Sequence, residues 1–431
     1  MADASETHPA EASVWRVLAI PALVVVGLLN YLDRALPAVL AESIKNDLVL
    51  SDTALGLING FGFLLVYALA GVPIARVADR GRQAGVISVS LGFWSLMTLA
   101  GCAVANAWQL AVTRMGVALG EAGSLPASHA YLTQRYPPER RALALSMLSL
   151  AVPLGNSIGL VAGGLLGREF GWRGTFVLMG LLGLLLAPLV FAVLKKAEPQ
   201  VPISRVEARD RPPGTFRDIG HNRSLTMILA GASLVAIGGY AAIAFVPAFL
   251  MRVHGLALHS VGVQYGLAAG AAGIVALLMT GWWSDRVVAQ GATSPLNVVV
   301  VMILAVVPFS TLAFLVSDAR LALALVTVGS VVPVAYLAPV VATLHRLVPE
   351  SRRAQVSALM LLCTALVGGV GPLAVGVVSD MLHATHGNAS LRIAMLIIPA
   401  AYAGAATAFW VAARRQRLEA AGLVKQGEFH H

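Results

Sequence analysis

One apolar run in this chain ends Ala75-Arg76-Val77-Ala78-Asp79-Arg80-Gly81-Arg82, and a later one ends Gly281-Trp282-Trp283-Ser284-Asp285-Arg286. In both, a small residue stands four positions before the Asp of an Asp-Arg pair, where the apolar run gives way to basic sequence. The same device at corresponding places in two halves reads as two copies of one unit. A third copy of the spacing, Gly376 to Asp380, closes another run. Small residues let helix backbones approach, and a carboxylate at a helix end can pair with arginine or accept from the N-terminus of a neighbouring helix. The copies are therefore expected to be latches on the cytoplasmic face, with Asp79, Arg80, Asp285 and Arg286 forming a cytoplasmic gate. The plainer reading is that these residues only terminate helices.

Outward from these motifs, 58% of the 431 residues are hydrophobic and 12% charged, against about 25% charged in an ordinary soluble domain. A helix needs about 20 apolar residues to cross the hydrocarbon layer. Twelve runs qualify: 14–40, 54–75, 84–104, 108–132, 142–166, 172–194, 224–250, 261–283, 296–316, 321–344, 354–378 and 393–413. A transmembrane β-barrel would show shorter, alternating segments instead. The longest polar stretch, 195–223, with Pro199, Pro202, Pro212 and Pro213, divides the runs six and six. The predicted fold is an all-α membrane protein of twelve transmembrane helices in two pseudo-symmetric six-helix bundles, 14–194 and 224–413. A cytoplasmic tail 1–13 precedes them, the linker 195–223 joins them, and a tail 414–431 follows, in which His430 and His431 read as a tag remnant.

The net charge of +9 follows inner-membrane topology and does not gather into a patch for nucleic acid. Only Lys45, Arg168, Arg173, Arg252, Arg320 and Arg392 fall in segments assigned to the outside, so both termini are expected in the cytoplasm. The polar start, with Asp3, Glu6, His8 and Glu11, lacks the order of a cleavable signal peptide. Cys102 and Cys363 fall inside predicted spans and read as small apolar residues. No HExxH, histidine cluster or Walker loop is present, which argues against a membrane enzyme, a bound metal or cofactor and an ATP-driven pump. A channel pore is usually built by symmetric subunits, whereas one chain here carries two nonidentical halves. The working unit is expected to be a monomer in the lipid bilayer.

Four ionisable residues fall well inside predicted spans: Asp33 and Arg34 in the first, Arg114 and Glu121 in the fourth. Each costs about 2.5 to 3.5 kcal/mol at mid-bilayer on insertion scales, so function is their default explanation. The comparable depth of the seventh run holds Gly239, Tyr240 and Ala241, and that of the tenth Pro333, Tyr336 and Pro339. A rise of about 1.5 Å per residue puts Asp33 ~22 Å, Arg114 ~25 Å and Glu121 ~15 Å from the cytoplasmic edge. Facing helices then bring Asp33 to Arg114 and Arg34 toward Glu121. Burial favours a neutral carboxylate and a nearby guanidinium the charged one, so a moving partner makes a proton switch. The alternative is a static pair of ion pairs that contributes only packing. Pro126 frees the Ala122 carbonyl and predicts a bend beside Glu121.

The 75–82 motif, with Trp172-Arg173 ahead of Phe176, resembles the major facilitator superfamily over residues 14–413. Ala75 replaces the usual glycine, and one residue is missing between Arg80 and Gly81. Asn30-Tyr31-Leu32-Asp33-Arg34, Arg114, Gly120-Glu121-Ala122 and Val152-Pro153-Leu154-Gly155 with Gly159, Gly163 and Gly164 resemble the spinster family, exporters of sphingosine phosphate or lysophospholipids, with proton-coupled bacterial members. The resemblance implies Asp33 and Glu121 as protonation sites, with Arg34 and Arg114 organising them or holding an anionic headgroup. Ser124-Leu125-Pro126-Ala127 is more like the organic anion symporters, which share Asn-Tyr-x-Asp-Arg, and keeps a sugar acid as the alternative substrate.

A lysolipid needs a long apolar compartment beside the charges, for which Phe245, Phe249, Tyr336, Leu267, Met279 and Leu337 are candidates, with Asn30 and Tyr31 beside the headgroup. Taken singly, each of these apolar residues is better explained by core packing or contact with lipid. The expectation is alternating access in a bacterial inner membrane, with protons and a small amphipathic anion as ligands. His129, eight residues after Glu121, is either a proton relay or a hydrogen-bonded neutral side chain.

Overall fold

The computed structural model describes residues 9–136, 138–197, 222–290, 294–349 and 352–422, and among these every regular element is helical. Most of the expected linker and the ends of both expected tails lie outside the described residues. In the N-terminal part, α1 (Pro9–Val39) is followed by a short α2 (Ala41–Leu48). Next, α3 (Asp52–Gly56) continues through a π-helical stretch, Leu57–Gly62, into α4 (Phe63–Asp79). Then come α5 (Gln83–Ala100), α6 (Ala107–Glu121), α7 (Ser124–Arg135), α8 (Pro138–Ser149) and α9 (Ala151–Lys196). The C-terminal part contains α10 (Arg223–Arg252), α11 (Gly266–Ala289), α12 (Leu296–Leu315), α13 (Ala319–Gly329), α14 (Leu337–Arg346), α15 (Arg353–Gly368), α16 (Val370–His386) and α17 (Ile397–Ala420).

Nine stretches among the described residues are long and apolar enough to cross a membrane. Two of them, Leu143–Lys196 and Gln355–Glu419, run to 54 and 65 residues, far beyond the roughly 20 that one crossing takes. The first is bent at Gly171, whose φ of 66° and ψ of 177° belong to a region that essentially only glycine enters. Before Gly171, α9 runs parallel to α1, with Gly155, Gly159 and Gly163 resting on Leu28, Leu32 and Leu36. After it, α9 runs antiparallel to α5, with Gly180 and Gly183 on Leu99 and Ser95. The run 108–132 is not among the nine because its helix breaks after Glu121 into pieces of 15 and 12 residues.

The apolar core forms two clusters. One is built from residues between Ala19 and Ala197, with Tyr240 packed against it. The other is centred on residues 225–413 and also takes in Val39, Ile44, Leu50, Leu110 and Phe176. The two parts of the chain therefore share a core at the end that carries α2 and the turn at Gly171. This is the end that the positive-inside reading of the sequence expects outside, and it is called the outer end below.

Here the helices touch backbone to backbone: a Cβ on Gly262 would stand 2.5 Å from the Leu160 carbonyl oxygen of α9. Overpacking of this kind costs about 1 to 3 kcal/mol. Gly262→Val is expected to prop the outer end open and lower transport about tenfold, with helical content unchanged by circular dichroism.

The structure corrects one motif. Asp380 lies at the start of α3, accepting from the backbone N–H of Asp52 at 3.0 Å and of Thr53 at 2.7 Å. It is therefore at the end of α3–α4 opposite to Asp79. The third copy of the spacing belongs to the outer face because α16 runs in the opposite direction to α4.

Candidate functional site

α1 carries Asn30, Tyr31, Asp33 and Arg34, and α6 ends on Glu121, two turns after Arg114. The break follows from Pro126, which has no N–H for the Ala122 carbonyl, so the helix restarts as α7. Asp33, Arg114 and Glu121 are 5%, 4% and 0% exposed. Arg34 Nε donates to Glu121 Oε2 at 2.6 Å, and Arg114 Nη1 donates to Asp33 Oδ2 at 3.4 Å. The second contact is long. The close partner of Asp33 is Thr98 on α5, whose Oγ1 lies 2.9 and 3.0 Å from the two carboxylate oxygens.

Aromatic rings surround the two guanidiniums. Arg34 lies 4.4 Å from the ring centre of Tyr67, 5.3 Å from Tyr31 and 5.5 Å from Phe63, and Arg114 lies 5.2 Å from Phe63. Ring faces attract cations, by about 2 kcal/mol where water is excluded. From the C-terminal part, Tyr240 of α10 packs against the same N-terminal core as Phe63 and Tyr67. Four buried polar atoms in this cluster have no hydrogen-bond partner: Arg34 Nη2, Arg114 Nε, Asn30 Nδ2 and Glu121 Oε1. They give an incoming polar group three donors and one acceptor.

Tyr67, Phe63 and Thr98 were not singled out from the sequence, which marked Tyr240 only by its depth in the seventh run. Tyr67 left a signal, a phenol in a run whose other polar side chain is Asn59. Thr98 left a weaker one, since a lone threonine in a membrane helix usually bonds its own backbone.

Tyr336 is buried in the break between a short helix Val332–Ala335 and α14. Phe245 and Phe249, expected to line the compartment, do not. They are 1% and 0% exposed, and Phe249 packs edge-on against Phe314 at 5.3 Å and His254 at 5.0 Å. The reason is helical rotation. At about 100° per residue, Phe245 points about 140° and Phe249 about 180° away from Tyr240.

Of the motif residues, Arg80, Asp285 and Arg286 are exposed, and Arg286 stacks on Trp282 at 5.4 Å. Neither Arg80 nor Asp285 forms an ion pair among the described residues. The side chain of Asp79 lies outside the described residues. His129 is exposed.

The outer end is held instead by a charge network. Arg252, at the end of α10, donates to both Asp52 oxygens at 2.6 and 2.8 Å and to Glu42 at 2.6 Å. Lys45 also donates to Asp52, and the Ser379 hydroxyl donates to it at 2.6 Å. Arg252 and Asp52 have side-chain exposures of only 7% and 2%. Asp380, with no cation beside it among the described residues, is balanced by the helix N-terminus it accepts from. Close by, Trp172 and Arg173 both donate to Asp47, and Arg173 also donates to the Val104 carbonyl at 3.1 Å.

The sequence profile described as Major Facilitator Superfamily matches residues 23–372. The chain belongs to the major facilitator superfamily. As a member it is a multi-pass membrane transporter of small molecules and not an enzyme. It is 43% identical to an MFS-type efflux pump of Mycolicibacterium smegmatis over 93% of each chain. It is 27% identical to a probable L-galactonate transporter of Escherichia coli over 62% of this chain and 61% of that one. The crystal structure of a bacterial homolog of the human lysosomal transporter spinster, inward-facing and unoccupied, superposes with a TM-score of 0.80 at 26% identity, covering 96% of this chain and 99% of that one. The superfamily member thus has relatives among both spinster proteins and sugar acid transporters.

Proposed function

We propose that this chain is a proton-coupled exporter of an amphipathic anion, a lysophospholipid or sphingosine phosphate in chemical class, in a bacterial inner membrane with both termini in the cytoplasm. The observation that carries this reading is the pairing at Arg34. One edge of its guanidinium is held by Glu121, Nη2 has no partner, and aromatic rings occupy the space around it. A ligand with an anionic head can take the free edge while its apolar portion meets Phe63, Tyr67 and Tyr240. Asp33 and Glu121 exchange protons, and the unit is a single chain. Residues 14–194 rock against 224–413 across the linker 195–223. The exposed Asp285 and Arg286, set against the buried Arg252 network, support a conformation closed outside and accessible from inside. The efflux pump relative favours outward transport of the substrate.

The second reading is a sugar acid symporter, supported by the L-galactonate relative and by Ser124-Leu125-Pro126-Ala127. Flux into proteoliposomes under an imposed pH gradient separates the two. The lipid reading expects lysophospholipid or sphingosine phosphate to move, with at least tenfold less flux of a hexuronate. The reverse ranking sinks it.

A further inference from the structure

We propose that Thr98 is the positioning residue of Asp33, holding the carboxyl in place in both of its protonation states so that a proton changes only its hold on Arg114. The proposal rests on the reading of Asp33 as a proton-exchanging group. An arginine can only donate, so its attraction for Asp33 depends on the negative charge, whereas a hydroxyl can donate or accept. With Asp33 ionised, Thr98 donates to it, as the distances of 2.9 and 3.0 Å allow. With Asp33 protonated, its O–H donates to Thr98 Oγ1, and the threonine hydroxyl turns to a backbone carbonyl one turn earlier on α5. The carboxyl does not move. Arg114, already at 3.4 Å, loses its counter-charge and keeps Glu121 as its anionic neighbour. It then competes with Arg34 for Glu121, which frees Arg34 for an anionic ligand.

The surroundings confine Asp33 to this role. The charged groups facing it are Arg114 from α6, Arg34 on its own helix and, farther off, Glu121. From α5 it meets Trp94, Ser95 and Thr98, and from α9 Met179 and Gly183, none of them ionisable. The cavity at its back measures about 10 Å³, room for nothing larger than one water molecule. No substrate headgroup reaches the carboxylate from that side.

The test is the pH dependence of the conformational equilibrium. Spin labels are placed at Asn46→Cys and Ser317→Cys, both exposed at the outer end, after Cys102→Ser and Cys363→Ser. Wild type is expected to change its distance distribution with pH, and Asp33→Asn to lose that response. A hydrogen bond to a carboxylate is roughly twice as strong as one between neutral groups. Thr98→Val should therefore bind its proton about tenfold more tightly and move the midpoint up by about one pH unit, while Thr98→Ser restores it. A Thr98→Val midpoint equal to that of wild type, with the response lost in Asp33→Asn, overturns the role of Thr98 alone. A response that survives in Asp33→Asn overturns the proton reading of Asp33 and the positioning role with it.

Discussion

Asp33→Asn protein in proteoliposomes is expected to equilibrate its substrate without accumulating it. One coupled proton across a gradient of about two pH units supports about 100-fold accumulation, since each unit is worth a factor of ten. An asparagine at position 33 fits the same space and can still meet the Thr98 hydroxyl, but it carries no exchangeable charge. The buried cluster then holds two arginines and one carboxylate, and Arg114 retains the Phe63 ring at 5.2 Å and Glu121 as a neighbour. Folding is expected to survive, as judged by a monodisperse elution profile. Exchange of labelled for unlabelled substrate at equal pH continues, because it needs no net proton movement. Accumulation by Asp33→Asn at the wild-type level would remove Asp33 from the coupling mechanism.

The charges of that cluster were legible because a membrane span tolerates few of them. Asp33, Arg34, Arg114 and Glu121 announce themselves against an apolar background, and seven residues on one helix fix Arg114 and Glu121 on one face. The break beside Glu121 was legible too, from Pro126. The aromatic surround was not. Phe63 looks like any other apolar position, and the Tyr67 phenol gains a partner only once α4 is placed against α1. Phe245 and Phe249 show the same gap from the other side: the sequence puts them on α10 at the right depth, but only the packing of α10 fixes which face turns inward, and Tyr240 takes that place.

The outer network escaped for a different reason. Lys45 and Arg252 read as loop charges that report topology, and Glu42 and Asp52 drew no reading at all. Arg252 stands 200 positions from Asp52 and 210 from Glu42, and nothing local marks the three as a set. The Gly376 to Asp380 spacing was visible, but helix direction decides which membrane face it serves.

That network carries the second large expectation. Arg252→Ala removes the cation that holds Asp52 and Glu42, leaving two carboxylates with only Lys45 between them. Breaking a buried pair by removing one partner costs about 3 to 5 kcal/mol, because the remaining charge stays desolvated. The outer end need not bear that cost, since opening returns Asp52 and Glu42 to water. The variant should therefore relax by opening, shifting the equilibrium about 100-fold or more toward the outward-open form. Labels at Asn46→Cys and Ser317→Cys read this directly as a longer distance. Arg252→Lys keeps the charge but not the planar fork that reaches two carboxylates at once, so it should fall between. Thermal stability separates opening from unfolding, because a chain that merely loses packing melts earlier without a new, longer distance. If the distance distribution of Arg252→Ala matches that of wild type, the network is only structural, and closure of the outer end depends on the backbone contact between α9 and Gly262.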